Sequence, residues 1–443
     1  MGMKQKIFFL LIIFSCLLPD LLKAQEVDGI WTLDDCINYA LKQNIQIRQS
    51  YLTNESNDVY VRQAKSARLP NLNAAVREHV GWDKTNSQNE SDLNGSSSTS
   101  FSISSSLTLF NGMSLTNSIK RSELDFQSGY YNSETIKESV SLTLLDAYLQ
   151  ILYAEEQVAN SKRQVEATTE QLALAGERLA LSAISMSDYL QVKSQLANEK
   201  LTLANAESQT QIALVNLMQL MDMPVSGDFA IAHPNLDSLV NRHLTPDAQE
   251  VYNTSVEMRP QVKKAELDKE SATLGISLAR ASYYPSISLD AALGTGYSSL
   301  LDVGYVNQLN NQINPTLSLS FNIPIYQRRQ ARSGVQVAEI NVKNAELNEM
   351  NIRNQLRKDI EQASVNVMSA QIQYEASLDQ YEAVVESYQI AEEKFDQGMI
   401  NSVDFLFEKT NQIASESQLL QAKYNLIFSY KILDFYMGKA ISI

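Results

Sequence analysis

The chain has 443 residues, of which 36 are Lys or Arg and 51 are Asp or Glu, for a formal charge of −15. A surface this acidic repels polyanions, so nucleic acid is excluded as a partner. The three histidines, His79, His233 and His243, fall on a strand or in a proline-rich connector, and neither they nor the two cysteines stand at metal-ligand spacing. With no converging acid, base and nucleophile, the composition argues against an enzyme and calls for no cofactor.

Residues 1–24 read as an export signal: Lys4 and Lys6, an apolar run from Ile7 to Leu18, then the small residue Ala24 before Gln25. The run is about twelve residues, too short to span a bilayer. Cys16 leaves open a lipidated start, although Ile13, Phe14 and Ser15 are not the small residues such a site takes. Without the signal the charge becomes 33 − 50 = −17, and Cys36 is the remaining cysteine, so no intrachain disulfide can form. No later segment offers about eighteen consecutive apolar residues, so any membrane crossing is made by strands.

Trp31 to Ser66 is expected to be helical, opened by Thr32 as N-cap with Asp35 three residues on, and ended by Pro70. Alternation then marks a strand over about residues 70–81, a polar loop from Trp82 to Thr99, and a second strand over 100–110. In the second strand Phe101, Ile103, Leu107 and Leu109 oppose Ser102, Ser104, Ser106 and Thr108. From Met113 to about Leu181 nearly seventy residues lack proline, which predicts a helix on the order of 100 Å long. A break at 182–187 and a further helix to Met221 complete a first unit, residues 30–223.

An irregular connector, 224–246, carries Pro224, Gly227, Pro234 and Pro246, and the pattern then recurs over 247–438. Asp247 to Ala281 is helical; strands follow at 285–296 and 315–326, separated by a polar loop from Ser298 to Asn314. Gln327 to Gly398 is again a helix of about 100 Å. Its apolar residues, among them Ala338, Val342, Ile352, Leu356, Ile360, Val367, Tyr374 and Tyr388, advance by threes and fours as a seam along a neighbour. A second set, Val337, Ile340, Leu347, Met350, Val365, Ile372 and Val384, predicts contact on another side. Pro70 with Pro285, Asp188 with Asp404 and Met221 with Met437 keep an offset of 215 to 216 residues, the mark of a duplicated unit.

Four strands with one Leu/Ile/Phe face and one hydroxyl face leave two open edges and an uncovered apolar surface. A soluble sheet would pack that face on a core, but the helix that follows is too long to cover it. The pattern fits a membrane β-barrel with lipid outside and water inside, and four strands close a barrel only with strands from other copies. A periplasmic coiled-coil scaffold would explain the helices but not the strands.

Two strand hairpins each followed by a helix of roughly seventy residues, the opening Trp31-Thr32-Leu33 with Ala40-Leu41 and Asn44, and the repeated break-and-helix element resemble the TolC-like outer-membrane efflux proteins over residues 30 to 438. The resemblance implies a mainly α fold: a homotrimer whose twelve-stranded β-barrel in outer-membrane lipid continues into a long-helix α-barrel. It also implies a mid-height ring from residues 25–44, 224–247 and the C-terminal tail. The implied function is an exit duct that passively conducts small toxic compounds, served by a periplasmic adaptor and an inner-membrane pump of RND or ABC type. The alternative is the outer-membrane part of a type I protein secretion system.

The same resemblance points to the helix breaks as the periplasmic tip. Ser182, Ala183 and Ile184 in one half, with Gly398 and Met399 in the other, stand where the adaptor binds, and Asp404 with Asp188 stands at the pore constriction. A simpler reading makes both aspartates helix-start residues behind Ser185 and Asn401, with Gly398 as the helix stop. Where the family carries a basic and a second acidic gate residue, this chain has Ile400 and Phe407, which replaces a salt-bridged closure with an apolar one.

Overall fold

The computed structural model describes residues 30–87, 90–225, 229–240, 242 and 247–442. The export signal, Cys16, His243, Gly227 and Pro246 therefore lie outside the described residues. A short strand β1 (Ile30–Trp31) leads into α1 (Leu33–Gln43), where Thr32 and Asp35 form a reciprocal capping box. The helix expected to run unbroken to Ser66 stops at Asn44, and α2 (Ile45–Ser66) starts anew. Asn44 is itself the cause, because its side chain accepts from the amides of Gln46 and Ile47 at 2.9 and 3.2 Å, taking two donors a continuous helix would have used.

Next come the antiparallel strands β2 (Asn73–Ser87) and β3 (Glu90–Asn111). The ladder runs without a break from Asn73 opposite Ser104 to Ser87 opposite Glu90, so the stretch from Trp82 to Thr99 is strand and not loop. The backbone bonds that hold a hairpin are indifferent to side-chain polarity, so the ladder persists where alternation in the sequence fades. Helix α3 (Ser114–Ala180) has 67 residues and turns into the antiparallel α4 (Met186–Leu220). A two-residue strand β4 (Ala230–Ile231) pairs in parallel with β1 and precedes a single turn, α5 (Asp237–Val240).

The second half repeats the first. Helices α6 (Ala248–Met258) and α7 (Pro260–Ala281) divide at Arg259, the counterpart of Asn44, where one helix was expected. Pro260 forces the division: it occupies the first turn of α7, which has no use for its missing N–H, and holds Arg259 in an extended conformation. Strand β5 (Ser286–Ser298), a short helix α8 (Tyr305–Asn311) inside the expected polar loop, and β6 (Asn314–Asn322) follow. The 67-residue α9 (Gln330–Asp396) and the 35-residue α10 (Ser402–Tyr436) close the unit.

The sheet order is β2-β3-β5-β6, antiparallel throughout, so the two halves meet where β3 pairs with β5. Ile103 stands opposite Leu293, Leu107 opposite Leu289, and Leu289 opposite Leu319, which makes one continuous apolar face. A bulge between Thr108 and Phe110 shifts the register, so Phe110 and not Leu109 pairs with Ile287 at the end of that face. On the other face the Asp290 carboxylate accepts from the hydroxyls of Ser106 and Ser288 at 2.6 and 2.8 Å. Among the described residues the outer edges of β2 and β6 are unpaired.

The core is a belt at mid-height. Leu144, Leu145, Tyr148 and Ile151 of α3 meet Trp31, Cys36, Ile47, Leu217, Leu356, Ile360 and Tyr430, all fully or almost fully buried. Tyr148 ties the small parallel pair to this belt by donating to the Ala232 carbonyl at 2.7 Å. Away from the belt the long helices are only half covered. The seam residues Leu356, Ile360, Ala363, Val367 and Ala370 are buried, whereas Val337, Ile340, Leu347, Met350, Val365 and Ile372 stand exposed along α9. Among the described residues no helix is long and apolar enough to cross a membrane.

Candidate functional site

Both helical hairpins turn at the end of the molecule opposite the sheet, and the two turns are built alike. At the end of α9, Gly398 takes a left-handed conformation (φ 73°), with Met399 N–H donating to the Lys394 carbonyl at 2.8 Å and Gly398 N–H to that of Phe395 at 3.0 Å. This is the paired bonding of a Schellman stop. Ser182 ends α3 the same way at φ 58°, with Ala183 donating to Arg178 at 2.8 Å and Ser182 to Leu179 at 2.9 Å. A serine there meets the steric cost that glycine avoids, about 1 kcal/mol.

The next helices start from side-chain caps. Ser185 Oγ accepts from the Asp188 amide at 3.1 Å, and Asp188 Oδ2 accepts in return from the Ser185 amide and hydroxyl at 3.1 and 2.7 Å. These bonds favour the ionised carboxyl: the Ser185 hydroxyl first, then its amide, hold Asp188 below the usual carboxylate range, and the Ser402 hydroxyl from the other turn adds to them. In the second turn Asn401 Oδ1 accepts from the Asp404 amide at 2.9 Å, and Asn401 Nδ2 donates to Asp404 Oδ2 at 3.0 Å.

The turns sit side by side. Arg178 reaches Asp396 at 3.1 Å and lies over the Phe395 ring, which stacks on Phe405 with centroids 4.6 Å apart. Phe405 is buried in this wedge, and Ile184 lines the small cavity beside it. Ser182, Ala183, Gly398 and Met399 are exposed at the apex, while Ile184 and Ile400 are half-buried. Asp404 and Phe407, three residues apart on α10, share an exposed face with Val403. Asp188 is half-buried on the other hairpin. Each acid thus has both a local bond at its helix start and access to solvent.

A buried polar cluster between the hairpins escaped the sequence reading. Lys409 of α10 is 3 % exposed and Glu199 of α4 is 5 % exposed, and they lie 3.5 Å apart. Thr168 of α3 donates to Glu199 and accepts from Lys409, while Gln195 donates to Glu199 at 2.9 Å. Lys409 also donates to Gln171 at 3.2 Å. Burial pulls the Lys409 ammonium below its ordinary pKa, opposed by the Glu199 carboxylate. The signal in the sequence was an asymmetry of the repeat: at the 216-residue offset Glu199 matches Ser415, so one half carries a charge on its packed face where the other has a small hydroxyl.

The remaining chemistry is sparse. Cys36 is buried, and burial raises its thiol to about 12. His233 lies 3.3 Å from Glu155. No group of His, Cys, Asp and Glu among the described residues could hold a metal ion.

Known proteins share the fold. The pyoverdine export outer membrane protein OpmQ of Pseudomonas aeruginosa (strain PAO1) is 26 % identical over 283 residues, 60 % of this chain. That match takes in 55 % of OpmQ's own length. The solved structure of CusC superposes with a TM-score of 0.77 over 92 % of each chain at 17 % identity. The CmeC outer membrane channel of Campylobacter jejuni gives 0.76 at 17 % identity, covering 92 % of this chain and 85 % of its own. These likenesses establish the fold, a long α-helical barrel with a β-barrel at one end. The model of the outer membrane efflux protein family matches residues 36–222 and again 251–439, one stretch in each half of the duplication. The chain belongs to the outer membrane efflux protein family, seated in the outer membrane and extending into the periplasm.

Proposed function

We propose that the protein is the exit duct of a tripartite efflux system, a homotrimer that passively conducts small compounds from a periplasm-spanning pump to the exterior. One observation carries this reading: a four-stranded sheet with an apolar face, a hydroxyl face and two open edges stands at one end of two helices of about 100 Å, with two aligned turns at the other. Three chains would supply twelve strands, enough to close a barrel around water. OpmQ, named for pyoverdine export, supports an export role.

In this reading Ser182, Ala183, Gly398 and Met399 form the apex that an adaptor grips, with Ile184 packed behind it. Asp404 and Phe407, on the exposed face of α10, line the narrow end of the lumen together with Ile400. Asp188 serves chiefly as a helix start. Two carboxylates about 7 Å apart repel by only about 0.6 kcal/mol in water, and by more in a poorly hydrated neck. A ring of them attracts cations and holds multivalent ones long enough to impede flow. The apolar side chains close the neck by excluding water.

Planar-bilayer recording tests the assignment. Asp404→Ala should weaken cation selectivity and block by multivalent cations, whereas Ile400→Ser with Phe407→Ser should raise conductance and leave selectivity in place. If Asp404→Ala leaves selectivity and block unchanged while loosening the start of α10, the aspartate is a helix-start residue only.

A further inference from the structure

The short helix α8 packs on strand β5. In β5 the residues Ile287, Leu289, Ala291 and Leu293 share one face, and the alternation continues through Thr295 and Tyr297. Both of these hold α8: the Thr295 hydroxyl donates to the Leu309 carbonyl at 2.6 Å, and the Tyr297 ring packs on Tyr305 with centroids 4.8 Å apart. The helix therefore folds back over the apolar face, at the end of the strands farthest from the long helices.

Its position is fixed from within. Gln308 is 2 % exposed; its Oε1 accepts from the Ser298 amide at 2.9 Å, and its Nε2 donates to the carbonyls of Val303 and Ser298 at 2.6 and 3.0 Å. This clamp closes the segment against β5, yet leaves apolar side chains in the open. Leu300 is 74 % exposed and Val306 66 %, with Leu301, Val303 and Tyr305 exposed beside them. On the helix, Tyr305, Val306 and Leu309 form one edge, and the exposed amides Asn307, Asn310 and Asn311 form the other. From Ser298 to Asn314 the only charged residue is Asp302.

We propose that the segment from Leu300 to Asn311 is an interfacial collar that rests against the outer leaflet around the barrel, with its apolar edge in the upper acyl region and its asparagines among the headgroups. The proposal rests on reading the apolar face of the sheet as the lipid side. Continuity with that face chooses lipid as the occupant, because α8 is held by Thr295 and Tyr297, the next residues of β5 on the face that carries Leu289 and Leu293. An uncharged helix with one apolar and one amide edge suits the boundary between hydrocarbon and water. A lid over the pore would have to grow from the opposite face, the one carrying Ser104, Ser106 and Asp290.

Spin labels on single cysteines at Val306, Leu300, Asn310, Leu319 and Ser318 test this in protein reconstituted into phosphatidylcholine–phosphatidylglycerol vesicles. Buried Cys36 gives no background. Collisions with oxygen, which concentrates in lipid, are compared with collisions with a water-soluble nickel chelate. The collar requires Val306 and Leu300 to share the lipid signature of Leu319, with an oxygen-to-nickel ratio several-fold above that of Asn310 and Ser318. A water signature at Val306 and Leu300 with Leu319 still in lipid overturns the collar alone. Protection of Val306 from both reagents would place it against another protein chain, and also overturns it. A water signature at Leu319 removes the lipid-side reading itself, and the collar with it.

Discussion

At the scale of single residues, the tip is shaped by a few side chains that stop and start helices. Asp188 shows how much such a group contributes and at what pH. Its folded pKa lies below that of a free aspartate, so its carboxylate stabilises the start of α4 fully above the free value, and the contribution is lost as pH falls through the lowered folded pKa. Asp188→Asn should therefore speed hydrogen exchange at the first amides of α4 near neutral pH, and match the unmutated protein once the pH is below the folded pKa. A difference that persists at low pH would assign the effect to packing and not to charge. The cap was legible because Ser185 and Asp188 are three residues apart, and the same holds for Thr32 with Asp35. Lys409 was not legible, because its partners stand on other helices and nothing in its own neighbourhood marks it as buried.

The Lys409 cluster belongs to the scale of elements, since it joins α3 and α4 to α10. A buried ion pair adds little net stability, but removing one partner strands the other charge away from water. Lys409→Met alone should lower stability by about 3 to 5 kcal/mol, and Lys409→Met with Glu199→Met should recover most of it, read as urea midpoints of the detergent-extracted protein. Equal losses in the single and double variants would show that the two groups are not coupled.

The sheet can be examined at the same scale. Cysteines placed at Phe101, Ile103, Leu107, Leu319, Phe321 and Ile323 should resist a small soluble thiol reagent in membranes, and those at Ser102, Ser104, Ser318 and Ser320 should react. Equal labelling of the two sets would contradict the division into lipid and water faces. The faces were readable from period-two alternation, which survives wherever one side must be apolar. The full length of β2 and β3 was not, because backbone pairing requires no alternation of side chains. The divisions at Asn44 and Arg259 were also missed. In the first a polar side chain competes with the helix for its amides, and in the second a proline sits where a helix can begin as easily as end.

At the scale of the whole molecule, one chain is an incomplete object. Among the described residues the outer edges of β2 and β6 have no partner, and nothing covers the stripe that Val337, Ile340, Leu347, Met350, Val365 and Ile372 form along α9. Open strand edges and an apolar stripe of this length would be satisfied together in the proposed assembly of copies around an axis, with β6 of one chain against β2 of the next and the helices side by side. The duplication within the chain supplies part of that repetition, and in the proposed assembly association would supply the rest. The mid-height belt, by contrast, is closed within one chain, where buried side chains of both halves pack together.

The measurement that bears most directly on this account is the native mass of the protein extracted from membranes in mild detergent. Four strands per chain and the family resemblance predict a stable complex of three chains that survives dilution. A folded, stable monomer would contradict it, because the edges of the sheet and the stripe on α9 would then have no partner.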